Sequence, residues 1–335
     1  MTNHTHRFRT TLLARIASIG ILLALYGCGG SDDPSPSTQF TLSGQVNRSS
    51  TFTRTDLQAF PPTTQSQGPV PGSFTGVSLW TLLTDANGGG DLTTNPQVKN
   101  DSLRKYVVVM GSDGTQAVVA VGEIHPNFGN QPDLVAYDVN GQPLDNDGFA
   151  QLVVPRDQSG GRYVANLVRL EVRGSTAPQV SLGGGIAPQF TLSGDIKHSG
   201  TFTPADLQKL PTVTQNVTFR AGQNTVTGSF TGVSPWTFLT DANGGGGITT
   251  NPQVQNDSLR KYVVATGSDG YQVVVALSEI DPQFGNQPDV IAVAFNGGSL
   301  GQDGITRLVV PGDIFGGRYV SNLVSLDVLD SDTSP

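Results

Sequence analysis

Residues 256–264 read NDSLRKYVV, and residues 100–108 read the same nine letters. Three further stretches recur around this pair in the same order. SFTGVS, TDANGGG and TTNPQV begin at Ser73, Thr84 and Thr93, and again at Ser229, Thr240 and Thr249. Repetition on this scale indicates one domain written twice. We predict a first repeat at 39–173, a Gly-containing linker at 174–188, a second repeat at 189–328 and a tail at 329–335.

The composition favours a turn-rich β architecture. The 335 residues include 42 Gly and 21 Pro, and only 14% are charged; a chain of this length can bury two cores. The net charge of −8 argues against nucleic acid as a partner, because phosphates need clustered Lys and Arg. With one cysteine, Cys28, the chain forms no internal disulfide and no thiolate-based zinc or iron–sulfur site.

The N-terminus has the pattern of a secretory signal. Three arginines precede an apolar run at 16–26, which is too short to span a membrane and is followed at once by Gly27 and Cys28. Residues 25–28, LYGC, resemble a bacterial lipobox. This resemblance implies a signal peptide at 1–27, lipidation of Cys28, and membrane anchoring on the periplasmic side of the cell envelope. Residues 28–38 are then a flexible tether. Ordinary secretory cleavage is the alternative.

Both repeats predict the same order of elements. A strand at Phe40 is followed by a short helix capped by Thr53, and the matching Thr203-Pro204 places a cap and an N1 proline side by side. A second helix is predicted to begin at Ser78 in the first repeat and at Ser234 in the second. Beyond the second helix the apolar period becomes two, and an Asp-Gly hairpin and an Asn-Gly turn join the strands of this half. The fold class predicted is α+β and rich in β-strands.

The stretch LVVP follows at 152–155 and 308–311, and GRYV follows at 161–164 and 317–320. This order of elements and motifs resembles the molybdopterin-binding oxidoreductase domain of the sulfite oxidase type. The resemblance covers nearly all of both repeats. It implies a β-rich mixed fold present as two tandem copies. It also implies a molybdenum cofactor ligated by a cysteine thiolate, since soft thiolates suit such a metal.

The chain departs from the pattern of that family at the metal. The position of the ligating cysteine falls on Arg220, and the first repeat lacks six residues in the same region, between Pro62 and Ser73. The Lys-Trp pair that the family uses in the closing strand is here Ala165-Asn166 and Ser321-Asn322. A histidine of the preceding loop is Asp147 in one repeat and Asp303 in the other. We predict no bound cofactor, with molybdopterin as the alternative.

Six residues are candidates for lining the pocket that the resemblance implies: Arg162, Asn166, Arg220, Arg307, Arg318 and Asn322. Their arginines could hold a phosphate or a carboxylate through paired hydrogen bonds. The alternative is that these arginines lie on the surface, paired with acids. No catalytic residue and no metal ligand is predicted. Residues 85–91, DANGGGD, have the alternating oxygens of a calcium loop but lack its closing Glu, so a helix-ending turn is preferred.

Three functions follow as hypotheses. The first is a lipid-anchored, non-catalytic protein whose two domains serve in binding or structure. The second is a molybdopterin-dependent oxidoreductase that holds its cofactor without a protein thiolate. The third is a surface adhesin built from generic β modules.

Overall fold

The computed structural model describes residues 36–178 and 183–333, and these residues belong to one compact unit. The predicted signal peptide, the lipidation site Cys28 and the tether as far as residue 35 lie outside the described residues. Within the described ranges, no helix combines the length and the apolar character needed to cross a membrane.

The first repeat contains ten strands and three α-helices among its described residues. The strands are β1 (Gln39–Gly44), β2 (Ser50–Thr53), β3 (Thr63–Gln65), β4 (Phe74–Ser78), β5 (Lys105–Gly111), β6 (Gln116–Ala120), β7 (Leu134–Val139), β8 (Gln142–Pro143), β9 (Gln151–Val153) and β10 (Leu167–Gly174). The helices are α1 (Arg54–Gln58), α2 (Leu79–Ala86) and α3 (Val121–Ile124).

The second repeat follows the same plan. Its strands are β11 (Phe190–Gly194), β12 (Gly200–Phe202), β13 (Val213–Ala221), β14 (Asn224–Val233), β15 (Lys261–Gly267), β16 (Gln272–Ala276), β17 (Val290–Phe295), β18 (Arg307–Val309) and β19 (Leu323–Asp330). Its helices are α4 (Pro204–Leu207), α5 (Pro235–Thr240) and α6 (Leu277–Ile280). Since β19 ends at Asp330, it continues two residues past the predicted end of the second repeat.

Each repeat forms a five-stranded sheet, in the order β2-β1-β10-β5-β6 in the first and β12-β11-β19-β15-β16 in the second. Strand β1 runs parallel to β10, and β11 runs parallel to β19, whereas the other neighbouring pairs are antiparallel. A second sheet accompanies each, with five strands built on β4 and β7 in the first repeat and four strands built on β14 and β17 in the second. The β-rich α+β class is therefore confirmed.

Local sequence signals account for the ends of several elements. Thr53 and Thr203 cap α1 and α4 in capping boxes with an aspartate three residues on. Helices α2 and α5 begin directly after Ser78 and Ser234, which confirms the predicted starts, although neither N-cap side chain makes a capping hydrogen bond. Proline at the first position of α5 fixes a helical φ instead.

The six residues that distinguish the repeats lengthen one hairpin. Strand β13 has nine residues where β3 has three, and it pairs with β14 along its whole length, from Val213 to Ala221. The extension carries Arg220 to the far end of the four-stranded sheet. The first repeat has no equivalent of that position.

The repeats pack on each other through their large sheets. Alternate side chains of β5 serve different cores: Val107 and Val109 lie in the core of the first repeat, whereas Tyr106 and Val108 face the second. Burial on both faces explains why the strand reads as a continuous apolar run. Tyr106 meets its counterpart Tyr262 with ring centroids 4.2 Å apart. We call this contact between the repeats the junction.

The junction has approximate two-fold symmetry. The Gln158 amide donates to the Phe284 carbonyl at 2.8 Å, and at the matching position the Ile314 amide donates to the Phe128 carbonyl at 3.3 Å. Part of the predicted linker is also fixed to the repeats, because the Gly184 amide donates to the Ser268 carbonyl at 3.1 Å. The sequence left open whether the repeats pack together, and the structure shows that they do.

Candidate functional site

Two of the predicted pocket residues, Arg162 and Arg318, are buried at the junction. Each follows a Gly-Gly pair in a 3-10 turn, and their side chains are only 1% and 2% exposed. The Arg162 Nε and Nη2 donate to both oxygens of Asp157 at 2.8 and 2.5 Å, and its Nη1 lies 2.8 Å from a Glu123 oxygen. These arginines are paired with acids, as the alternative interpretation expected, but in the interior rather than on the surface.

Arg318 repeats the arrangement in the second repeat. Its Nε and Nη2 donate to Asp313 at 2.9 and 2.6 Å, and its Nη1 donates to Glu279. Although burial opposes the charge, the surrounding carboxylates hold the pKa of both guanidinium groups above its ordinary value. Because their strong donors are already used inside the protein, Arg162 and Arg318 are structural ion-pair centres rather than free ligand-binding groups.

A third carboxylate accompanies each arginine without a hydrogen bond of its own. Both oxygens of Asp133, and both of its counterpart Asp289, are buried and make no hydrogen bond in the described structure. Burial raises the pKa of Asp133 to about 7 and raises that of Asp289 well above its usual range. Glu279 of the second repeat adds to the shift of Asp133 in the first, so the two clusters interact across the junction. Protons are retained here because a charge costs more in a poorly polarisable interior.

Asn166 and Asn322 serve in turns. Both take the left-handed conformation, with φ of 49° and 50°, in which asparagine is favoured over other residues with a side chain. The Asn166 side chain donates to the Ser112 hydroxyl at 2.6 Å, and that of Asn322 donates to the Gln302 carbonyl at 3.1 Å. Neither asparagine lines the cavity described next.

The remaining two candidates, Arg220 and Arg307, meet at one cavity of about 500 Å³. We call it the junction cavity, because both repeats contribute to its wall. The side chains that matter below are Lys99, Asn127 and Phe128 from the first repeat and Arg220, Arg307 and Phe315 from the second. Among the described residues that line it, three are cationic and none is acidic.

The three cations have different surroundings. Arg307 is largely buried, pairs with Asp303, and lies over the rings of Phe230 and Tyr319 at 5.5 Å each; burial lowers its pKa. Arg220 is exposed, with its guanidinium carbon 5.0 Å from the centroid of Phe315. Lys99 is exposed as well. Cations over aromatic faces are held electrostatically while their outer donors remain open to solvent.

Sequence reasoning missed the part of this cavity that the first repeat supplies. Lys99 lies in a polar loop between two of the repeated stretches, and only the packing of the repeats brings it to the same cavity as Arg220. One signal was present: at positions matched between the repeats, Lys99 corresponds to Gln255 and Arg307 to Gln151. Cations that differ between otherwise similar repeats are candidates for a role other than folding.

The residues of the cavity do not fit a thiolate-ligated molybdenum. Arg220, at the end of β13, stands where the resemblance places the ligating cysteine, and a guanidinium has no lone pair for a metal at ordinary pH. Asp303, where the resemblance places a histidine, is engaged by Arg307.

Comparisons with known proteins assign no family. No family model matches the chain, and no curated protein matches it. Among solved structures, the chain is similar to the sulfane dehydrogenase SoxCD from Paracoccus pantotrophus, at 15% identity and a TM-score of 0.31, over 84% of this chain and 77% of that one. Similarity at that level identifies neither the fold family nor the activity of this chain.

Proposed function

We propose that the protein is a non-catalytic binding module, lipid-anchored through Cys28 on the periplasmic side of the cell envelope. In this proposal both repeats have a scaffold of the sulfite oxidase type that no longer serves redox chemistry. The observation that carries the proposal is Arg220 in the wall of the junction cavity, at the position where the resemblance implies a metal-binding thiolate. A cation there favours an anion and disfavours a metal ion.

The buried arginine clusters support the same interpretation. Arg162 pairs with Asp157 and Glu123, and Arg318 pairs with Asp313 and Glu279. These ion pairs hold the closing loops of both repeats in the interior. Guanidinium groups that are paired internally in this way are not available to bind the phosphate of a cofactor. The scaffold is thus maintained while the groups needed for the metal cofactor are replaced.

Metal analysis of protein purified from its native host tests the proposal. We expect no stoichiometric molybdenum, and near-stoichiometric molybdenum with pterin would replace the proposal by the oxidoreductase alternative. Arg220→Cys is the matched variant, since it returns a thiolate to the position concerned. If the wild-type chain carries molybdenum and Arg220→Cys carries no more, the thiolate is irrelevant to cofactor binding.

A second measurement tests the anchor. The variant Cys28→Ser removes the lipidated sulfur but leaves the apolar signal intact. We expect the wild-type protein in the membrane fraction and Cys28→Ser in the soluble fraction of the cell envelope. Equal partition of the two proteins would contradict the lipid anchor.

A further inference from the structure

The junction cavity brings together cations whose charge the protein leaves largely uncompensated. Neither Lys99 nor Arg220 makes an ion pair among the described residues, and only Arg307 has a carboxylate partner, Asp303. Like charges gathered at one concave wall produce a positive potential that concentrates anions. The volume of about 500 Å³ falls within the range of small-molecule sites.

The duplication provides an internal comparison, because each residue of the cavity can be compared with its counterpart in the other repeat. The counterpart of Lys99 in the second repeat is Gln255. The counterparts of Arg307 and Phe315 in the first repeat are Gln151 and Ser159, and the first repeat has no equivalent of Arg220. Both repeats nevertheless form the same five-stranded sheet order. The cations and the phenyl ring are therefore not required for the sheet order that the two repeats share.

We propose that the junction cavity binds a small organic anion, with Lys99 and Arg220 holding its carboxylate or phosphate group and with Phe315 facing a flat apolar part. This inference deepens the proposed binding function and rests on it. The ligand would contact both repeats at once, so that binding depends on the junction as well as on either repeat alone.

Both cations are positioned before any ligand arrives. The Arg220 amide donates to the Ile314 carbonyl at 2.9 Å, which fixes the strand end beneath the guanidinium. Lys99 lies 5.8 Å from the ring centroid of Tyr271. That ring is itself held, because its hydroxyl donates to the Gly317 carbonyl at 2.6 Å and accepts from the Asn100 side chain at 2.8 Å. Pre-positioned groups lose less entropy on binding.

Isothermal titration calorimetry of the processed full chain with phenyl phosphate and with inorganic phosphate tests the inference. We expect phenyl phosphate to bind more tightly than inorganic phosphate. Lys99→Gln, which copies the residue at the matched position, and Arg220→Gln should each weaken phenyl phosphate roughly tenfold, the effect of losing one charge-assisted hydrogen bond. Lys209→Gln, at an exposed lysine paired with Asp206 outside the cavity, is the control and should bind as the wild type does.

Several outcomes would overturn the inference. If neither phenyl phosphate nor inorganic phosphate binds, the cavity is not an anion site. Equal affinity for phenyl phosphate in wild type, Lys99→Gln and Arg220→Gln would lead to the same conclusion. Equal affinity for the two probes would remove the aromatic part of the ligand class. Arg220→Lys keeps the charge and should retain most of the affinity, which separates charge loss from misfolding. A molybdenum-free chain that binds neither probe would refute this inference while leaving the proposed function standing.

Discussion

Asp133→Asn is the substitution that tests most directly how charge is buried at the junction. Asp133 precedes β7 and is 1% exposed, and neither of its carboxylate oxygens has a hydrogen-bond partner in the described structure. Its backbone carbonyl accepts from the Leu79 amide at 2.9 Å, an interaction that asparagine preserves. The substitution keeps the shape of the side chain and removes its titration.

The size of the effect follows from the pKa of the folded state. Burial raises the pKa of Asp133 from 3.8 to about 7, even though Arg162 opposes the shift. A carboxyl group with a raised pKa retains its proton in the folded state while the unfolded chain releases it, so stability is lost as the pH rises through that interval. A shift of about three pH units corresponds to about 4 kcal/mol, as an order of magnitude.

Urea unfolding of wild type and Asp133→Asn at about pH 4 and at about pH 8 measures this contribution. We expect the wild type to lose more free energy of unfolding between the two conditions than the variant does, by up to about 4 kcal/mol. Any fixed cost of burying an amide is present at both pH values and cancels. Asp85→Asn, at a half-exposed carboxylate paired with Arg48, is the control and should follow the wild type. Parallel pH dependence of wild type and Asp133→Asn would refute the reasoning.

Two further predictions concern charges inside the protein. Arg318→Met should lower the free energy of unfolding by about 3–5 kcal/mol near neutral pH, because Asp313 and Glu279 lose their buried partner. Chemical denaturation measures this loss. A loss below about 1 kcal/mol, which is typical of surface ion pairs, would contradict the prediction. Gln45→Asp should raise the pKa of Lys105, because it places a carboxylate at the position that matches Asp195. NMR titration of the lysine side chains should detect this rise in pKa. An unchanged titration would show that the added carboxylate does not reach the amine.

Much of the fold could be predicted because its signals are local. The capping boxes at Thr53 and Thr203, and the two Asn-Gly turns with left-handed Asn140 and Asn296, depend on residues close in the chain. The candidate site was predictable only in part. Arg220 and Arg307 do share a cavity, whereas Arg162 and Arg318 form buried ion pairs and the two asparagines form turns. Lys99 was missed because its place in the cavity depends on how one repeat packs against the other.

The sequence by itself determined the duplication, the order of the elements and the points at which helices and turns begin. Only the tertiary structure decided how the pKa values of identical residues in the two copies of a stretch differ. Lys105 and Lys261 stand in the same nine-residue sequence, yet burial lowers the pKa of Lys105, whereas Asp195 and Asp330 overcome burial and raise the pKa of Lys261. Asp195 directly follows β11 and Asp330 ends β19, and the matching positions in the first repeat are Gln45 and Gly174. The charge state of a buried group is set by the groups that folding places within a few ångströms of it, and most of these lie far away along the chain.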